Sequence, residues 1–196
     1  VDADLRHPTV QKFVDVDTKP GLSDALLALK EREGMGLEAD MVEDLVQRTK
    51  LEGLRVVPAG THVRTPAELL NSQLFRGFLT LLTDCCDMVI IDSPPVMAVT
   101  DPVIVSTMVD GVALVVNAGE SRIPVVGQAL QRLQEVEAKV LGVVVNGMSG
   151  RSGSYYYYYG YYKNYYPSSN GDGKGARGLF GRNGGRKAGR SAGEPE

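Results

Sequence analysis

The chain has 196 residues, of which 43% are hydrophobic, and a formal net charge of −3. That is enough apolar material for the core of one ordinary domain. No apolar run approaches the about 20 residues needed to cross a bilayer, the start lacks a signal-peptide pattern, and the two cysteines, Cys85 and Cys86, are neighbours that cannot build a disulfide framework. They read as small apolar residues packed in a reduced compartment. With His7 and His62 the only histidines, a Cys/His metal site has little support.

In chain order, residues 1–8 read Val-Asp-Ala-Asp-Leu-Arg-His-Pro. On an extended strand Asp2 and Asp4 point the same way and Arg6 continues that face. Two carboxylates and a guanidinium on one side suit a metal, a hydroxyl to be deprotonated and a phosphate. The alternative is a surface ion network that closes a strand end. Such a motif normally ends a strand, so the chain reads as a fragment whose beginning is missing.

A helical pattern covers residues 22–32, entered by Ser23 or Asp24, and another covers residues 66–82, with Thr65 as N-cap and Pro66 in the first turn. Phe13, Phe75 and Phe78 are spread along the chain as core residues would be. Short β-rich apolar runs lie at residues 54–57, 88–91, 112–116 and 140–145, with a further helix at residues 123–136. These runs read as buried parallel strands. The alternation of strand and helix predicts βαβ units in a doubly wound α/β sheet, whose ligands gather at the carboxyl ends of the strands. Asp92 stands at such an end, where a nucleotide-binding sheet places a carboxylate for Mg²⁺ and where many other folds place an Asp to cap a turn. Asn146 stands at another, followed by Gly147, and a turn role there is as good as a binding role.

Charge and glycine divide the chain near residue 150. Residues 151–196 contain eight basic and three acidic side chains, a balance of +5, against −8 for residues 1–150, and 11 of the 23 glycines. Such a composition does not repay its ordering entropy by burial, so the tail is expected to be disordered. All nine tyrosines fall inside it: Tyr155, Tyr156, Tyr157, Tyr158, Tyr159, Tyr161, Tyr162, Tyr165 and Tyr166. Residues chosen for buried aromatic area would be scattered through the core, so the phenol hydroxyl is the expected reason for the cluster, as phosphate acceptor or contact group.

Taken together, these stretches resemble the bacterial tyrosine kinases of capsular and extracellular polysaccharide systems. Residues 1–8 are similar to that family's Walker A′ motif, residues 89–95 to its Walker B motif, and residues 155–166 to its C-terminal tyrosine cluster. Gly21-Leu22-Ser23-Asp24, Pro58-Ala59-Gly60 and residues 65–70, 109–111 and 141–146 resemble it as well. The resemblance covers residues 1–166. It implies a P-loop NTPase-like sheet, ATP and Mg²⁺ as cofactors, and autophosphorylation of the tail by a neighbouring subunit in a ring-like homo-oligomer.

For the site residues it implies that Asp2 and Asp92 organise Mg²⁺, directly or through water. Asp4 shares that task or orients the attacking tyrosine, and Asp2 is the first choice of base. Arg6 steadies phosphate oxygens or locks the carboxylates, and Asn146 meets the adenine edge. It further implies a membrane-embedded activator in cis or in trans, other protein substrates, no nucleic acid partner, and a place at the cytoplasmic side of the bacterial inner membrane. One departure is large: no stretch of the 196 residues forms a Gly-rich Walker A loop ending in Gly-Lys-Ser/Thr. The segment alone is therefore expected to be inactive. An ATPase of the related partitioning and septum-positioning class, and an inert tyrosine-rich scaffold, are the alternatives, but neither explains the tyrosines and the acidic strand ends together.

Overall fold

The computed structural model describes residues 1–31 and 39–147. The tyrosine cluster and the basic tail lie outside the described residues.

The elements run α1 (Val10–Val14), α2 (Leu22–Glu31), α3 (Ala39–Glu43), β1 (Gln47–Arg48), β2 (Arg55–Val56), α4 (Pro66–Leu70), α5 (Gln73–Cys85), α6 (Asp101–Ser106), β3 (Val112–Asn117), α7 (Ile123–Glu135) and β4 (Val140–Asn146). β3 and β4 form the expected parallel pair, with α7 as the crossover; the register shifts by one residue after Val112↔Val140 and then holds from Ala113↔Gly142 to Asn117↔Asn146. α7 begins at the predicted residue, with Pro124 in its first turn, and buries Ala129 and Leu133 one turn apart. Gly111 leads into β3 directly against the Leu141 side chain, where any Cβ would collide.

Among the described residues the predicted single sheet is not continuous: β1 and β2 form a separate two-stranded sheet, less regular than the sequence predicts. The run at residues 54–57 shortens to β2, which pairs antiparallel with β1, a polar dipeptide carrying no strand signal. On its far side the Val57 carbonyl accepts the Asp2 amide at 2.9 Å. Residues 1–3 then pair with residues 90–92: Asp92 N donates to Val1 O at 2.9 Å and Ala3 N to Asp92 O at 2.8 Å. This ladder amounts to one parallel bridge, Asp2↔Asp92, rather than the regular strand predicted at residues 88–91. Val89 and Ile91 pack on the core, whereas Met88 and Ile90 are 77% and 72% exposed. The run alternates, and only one of its faces is covered. β4 is likewise open, with Leu141, Val143, Val144 and Val145 all exposed.

The helix predicted at residues 66–82 is two helices. Ser72 breaks it, since its hydroxyl accepts the Phe75 amide at 3.2 Å and donates to Leu69 O at 2.6 Å, so a new helix starts there. α5 then presents Phe75, Phe78, Leu79 and Leu82 at helical spacing to a core shared with Ala3, Leu5, Leu22, Leu26, Val57 and Leu70. The Phe75 and Phe78 rings stack with centroids 6.4 Å apart. Two packing expectations fail. Phe13, on the short α1, is 83% exposed, and Cys85 is exposed at the polar end of α5, with only Cys86 half-buried.

α2 begins one residue ahead of the predicted caps. Asp24 Oδ2 instead accepts the amides of Gly21 (3.0 Å) and Thr61 (3.3 Å), while Ser23 Oγ donates to Thr61 O (2.7 Å). Gly21 lies against the Gly60 and Pro58 backbone with no room for a side chain, and Gly60 itself has φ +87°. This backbone-to-backbone contact fixes the end of the segment that runs on from β2. Among the described residues no helix is long and apolar enough to cross a membrane.

Candidate active site

Asp2 is held from both sides, its amide on Val57 and its neighbours on the residues around Asp92, so its side chain emerges where two strand ends meet. The residue is fully buried. Its Oδ1 accepts the Asp4 amide at 3.1 Å and its Oδ2 accepts the Val10 amide, at the start of α1, at 3.3 Å. Burial is the main cause that pushes the Asp2 carboxyl up to about 6; the charges of Asp92 and Asp4 add to it, against the lowering effect of the two amide donors.

Asp4, also buried, turns the chain rather than extending it. Its Oδ1 accepts the amides of Arg6 (3.2 Å) and His7 (2.9 Å), the pattern of an Asx turn. Asp2, Asp4 and Arg6 therefore do not stand in a row on one extended strand as the two-residue spacing predicts. The ladder ends at Ala3, and the Asp carboxylates curl the following loop around themselves.

Asp92 sits at the predicted strand end and is open to solvent, though the protein behind it partly desolvates its carboxylate. That burial comes first, and the negative charge of Asp4 second, in raising its pKa. Arg6 points to a residue that the sequence reading missed: Nε donates to Asp101 Oδ2 at 2.7 Å and Nη2 to Oδ1 at 3.0 Å. Asp101 is fully buried at the first position of α6. The available signal was Thr100-Asp101-Pro102, a helix-start pattern, which reveals a cap but not an ion pair reaching across 95 residues.

Asn146 belongs to a different sheet and has no hydrogen bond to this group. It ends β4 opposite Asn117, its Oδ1 accepts the Gly147 amide at 2.8 Å, and Gly147 adopts φ +72°, so a turn is formed there.

Among the described residues no three His, Cys, Asp or Glu side chains converge into a ready-made metal cage. The donor chemistry nevertheless suits Mg²⁺, which takes one or two carboxylates and completes its shell with water and substrate phosphates. Burial and neighbouring negative charge raise the proton affinity of Asp2 and Asp92, and a divalent cation reverses that penalty.

No family model matches the chain. Individual proteins do. It is 31% identical over 155 residues to the tyrosine-protein kinase Ptk of Acinetobacter johnsonii, covering 79% of this chain and 20% of Ptk. It is 32% identical over 159 residues to the tyrosine-protein kinase YwqD of Bacillus subtilis, covering 80% of this chain and 63% of YwqD. The chain thus spans about a fifth of one relative and less than two thirds of the other. Among solved structures, the VpsO kinase domain superposes with a TM-score of 0.65 at 30% identity, covering 76% of this chain and 68% of that domain. The acidic strand ends, the P-loop kinase fold and these likenesses agree: the chain belongs to the bacterial tyrosine kinase family.

Proposed function

We propose that this chain is part of an ATP-dependent protein-tyrosine autokinase that phosphorylates its own C-terminal tyrosines, in trans, and thereby regulates the production and export of a capsule or exopolysaccharide. The observation that supports it best is the bridge that sets Asp2 beside Asp92, with Asp4 one turn of loop away, in a chain that also carries nine clustered tyrosines.

In this reading Asp2 and Asp92 hold Mg²⁺, which when bound neutralises phosphate charge on ATP. Asp4 shapes the loop and orients the acceptor. A phenol has a pKa near 10, so removing its proton as it attacks is worth catalysing. Asp2 is the base, buried and within the same cluster, and the rest of the catalysis is position and charge. Asn146 contacts the adenine edge. The Gly-rich loop that cradles the phosphates in this reading is not among these 196 residues.

A run of acceptors on one tail raises their effective concentration in a neighbouring subunit's cleft. Each phosphate adds roughly −1.5 to −2 charge, so about three cancel the +5 of residues 151–196. The basic tail then docks on the −8 part of a neighbour in a ring, and phosphorylation releases it. A membrane-embedded activator, in cis or in trans, places the kinase at the cytoplasmic side of the inner membrane.

The test is phosphotyrosine formation by the full-length protein with ATP and Mg²⁺. Wild type labels in residues 155–166 and Asp92→Asn does not; equal labelling by the mutant sinks the reading.

A further inference from the structure

Two arms leave the Asp2–Asp92 bridge. The first, residues 2–6, carries the acidic turn, and the second, residues 92–101, runs through Ser93-Pro94-Pro95 to α6. At the base they are joined by the amide of Ala3 on the Asp92 carbonyl. At the tip they are joined by the two-pronged contact of Arg6 with Asp101. Arg6 also donates its own amide to Asp4 Oδ1, so the residue that grips Asp101 is part of the acidic turn.

The second arm is stiff. Pro94 is buried, Pro95 starts a turn closed by Ala98 N on its carbonyl at 2.9 Å, and the Val96 carbonyl accepts Arg132 Nη1 of α7 at 3.1 Å. A fully buried carboxylate receiving a parallel pair of N–H donors is an orienting device, because a planar fork fixes direction as well as distance.

We propose that Asp101 is a positioning residue: by gripping Arg6 it sets the spacing between the Asp4 turn and Asp92, and with it the geometry in which the acidic cluster meets metal and acceptor. This rests on the kinase reading above for its catalytic consequence, but not for its structural one. Arg6 then acts on the reaction through Asp4, with its fork spent on Asp101.

The experiment compares full-length wild type with Arg6→Lys, Asp101→Asn and, as a control, Lys50→Ala, which removes only the exposed contact with Asp15. Arg6→Lys keeps the charge and loses the fork. It is expected to fold, to keep its KM for ATP within about twofold and to lose kcat by about 10- to 100-fold, the cost of an ångström-scale misplacement. The Mg²⁺ concentration giving half of the Mg²⁺-induced rise in Tm should increase several-fold, a readout that needs no turnover. Asp101→Asn should follow Arg6→Lys in both measurements, and Lys50→Ala should match wild type.

Should both variants turn over at the wild-type rate with a wild-type Mg²⁺ midpoint while only Tm falls, the pair is a strut and the proposal is overturned. If Asp101→Asn does not fold, Arg6→Lys decides alone. A wild type that shows the Mg²⁺ shift but no labelling removes the kinase reading and leaves positioning to be judged by the midpoint. A wild type showing neither removes both.

Discussion

Asp2 and Asp92 face each other across a parallel bridge, so two chain segments 90 residues apart deliver their carboxylates to one place with a shared register. Because that register is set by backbone hydrogen bonds to Val57, Val1 and Asp92, it should survive changes in the side chains themselves. Substitutions at Asp92 therefore test charge and coordination, whereas those at the buried Asp2 also change stability.

The buried Asp2 makes stability depend on pH. Its carboxyl rises from an ordinary 3.8 to about 6, so the folded chain holds this proton more tightly than the unfolded one. Stability is undiminished below about pH 4 and falls as pH climbs through 6, by up to about 3 kcal/mol at 1.36 kcal/mol per pKa unit. Asp92 shifts in the same direction. Urea midpoints from pH 4 to pH 7 should drop for wild type and drop less for Asp2→Asn, in which the Asp92 contribution remains. Millimolar Mg²⁺ should raise Tm more at pH 7 than at pH 4, where Asp2 is protonated.

Phe78 and Phe13 separate core from surface. Phe78 is fully buried against Phe75, and Phe78→Ala should cost about 3–5 kcal/mol. Phe13→Ala, at an 83% exposed position, should stay within about 0.5 kcal/mol. Denaturant unfolding of both variants checks this; equal losses would place Phe13 in a buried contact.

The break between α4 and α5 rests on one hydroxyl. Ser72→Ala removes the acceptor for the Phe75 amide and should destabilise by about 1 kcal/mol, whereas Ser72→Asp should retain most of the cap. Thermal unfolding of the pair resolves the two.

Gly21 tolerates no methyl group, because the atoms it would strike are the backbone of Gly60 and Pro58 rather than the movable end of a side chain. Gly21→Ala should cost about 1–3 kcal/mol. Gly127→Ala, where the added carbon meets nothing on an exposed face of α7, should be neutral or slightly stabilising. Comparing their Tm values tests whether the contact, rather than glycine as such, is required.

Much of this was legible in the sequence where a pattern repeats. β3, α7 and β4 follow from period and punctuation, and the Asp at position 92 from the apolar run before it. What was not legible depends on partners distant in the chain. β1 is a strand because Arg55–Val56 lies beside it, not because Gln47–Arg48 favours extension. Ser72 interrupts a helical pattern that reads through it, because only its side-chain geometry marks a cap. The exposure of Met88 and Ile90 depends on what covers that face, which a continuous apolar run does not tell. In the site, the spacing of Asp2 and Asp4 suggested a common face, but the hydrogen bond between the Asp2 carboxylate and the Asp4 amide bends the chain there. Asp101 was hidden for the same reason as β1.

The reach of the Arg6–Asp101 contact also orders events on the ribosome. Arg6 is made 95 residues before its partner, an interval of about 5 to 20 s at ordinary rates of synthesis. For that time the nascent acidic loop lacks Asp101 to hold its arginine, and for most of it lacks Asp92 as well, while α2, α4 and α5 come to have their mutual contacts available. The acidic cluster is thus completed only after α2, α4 and α5 have been made, and before β3, α7 and β4.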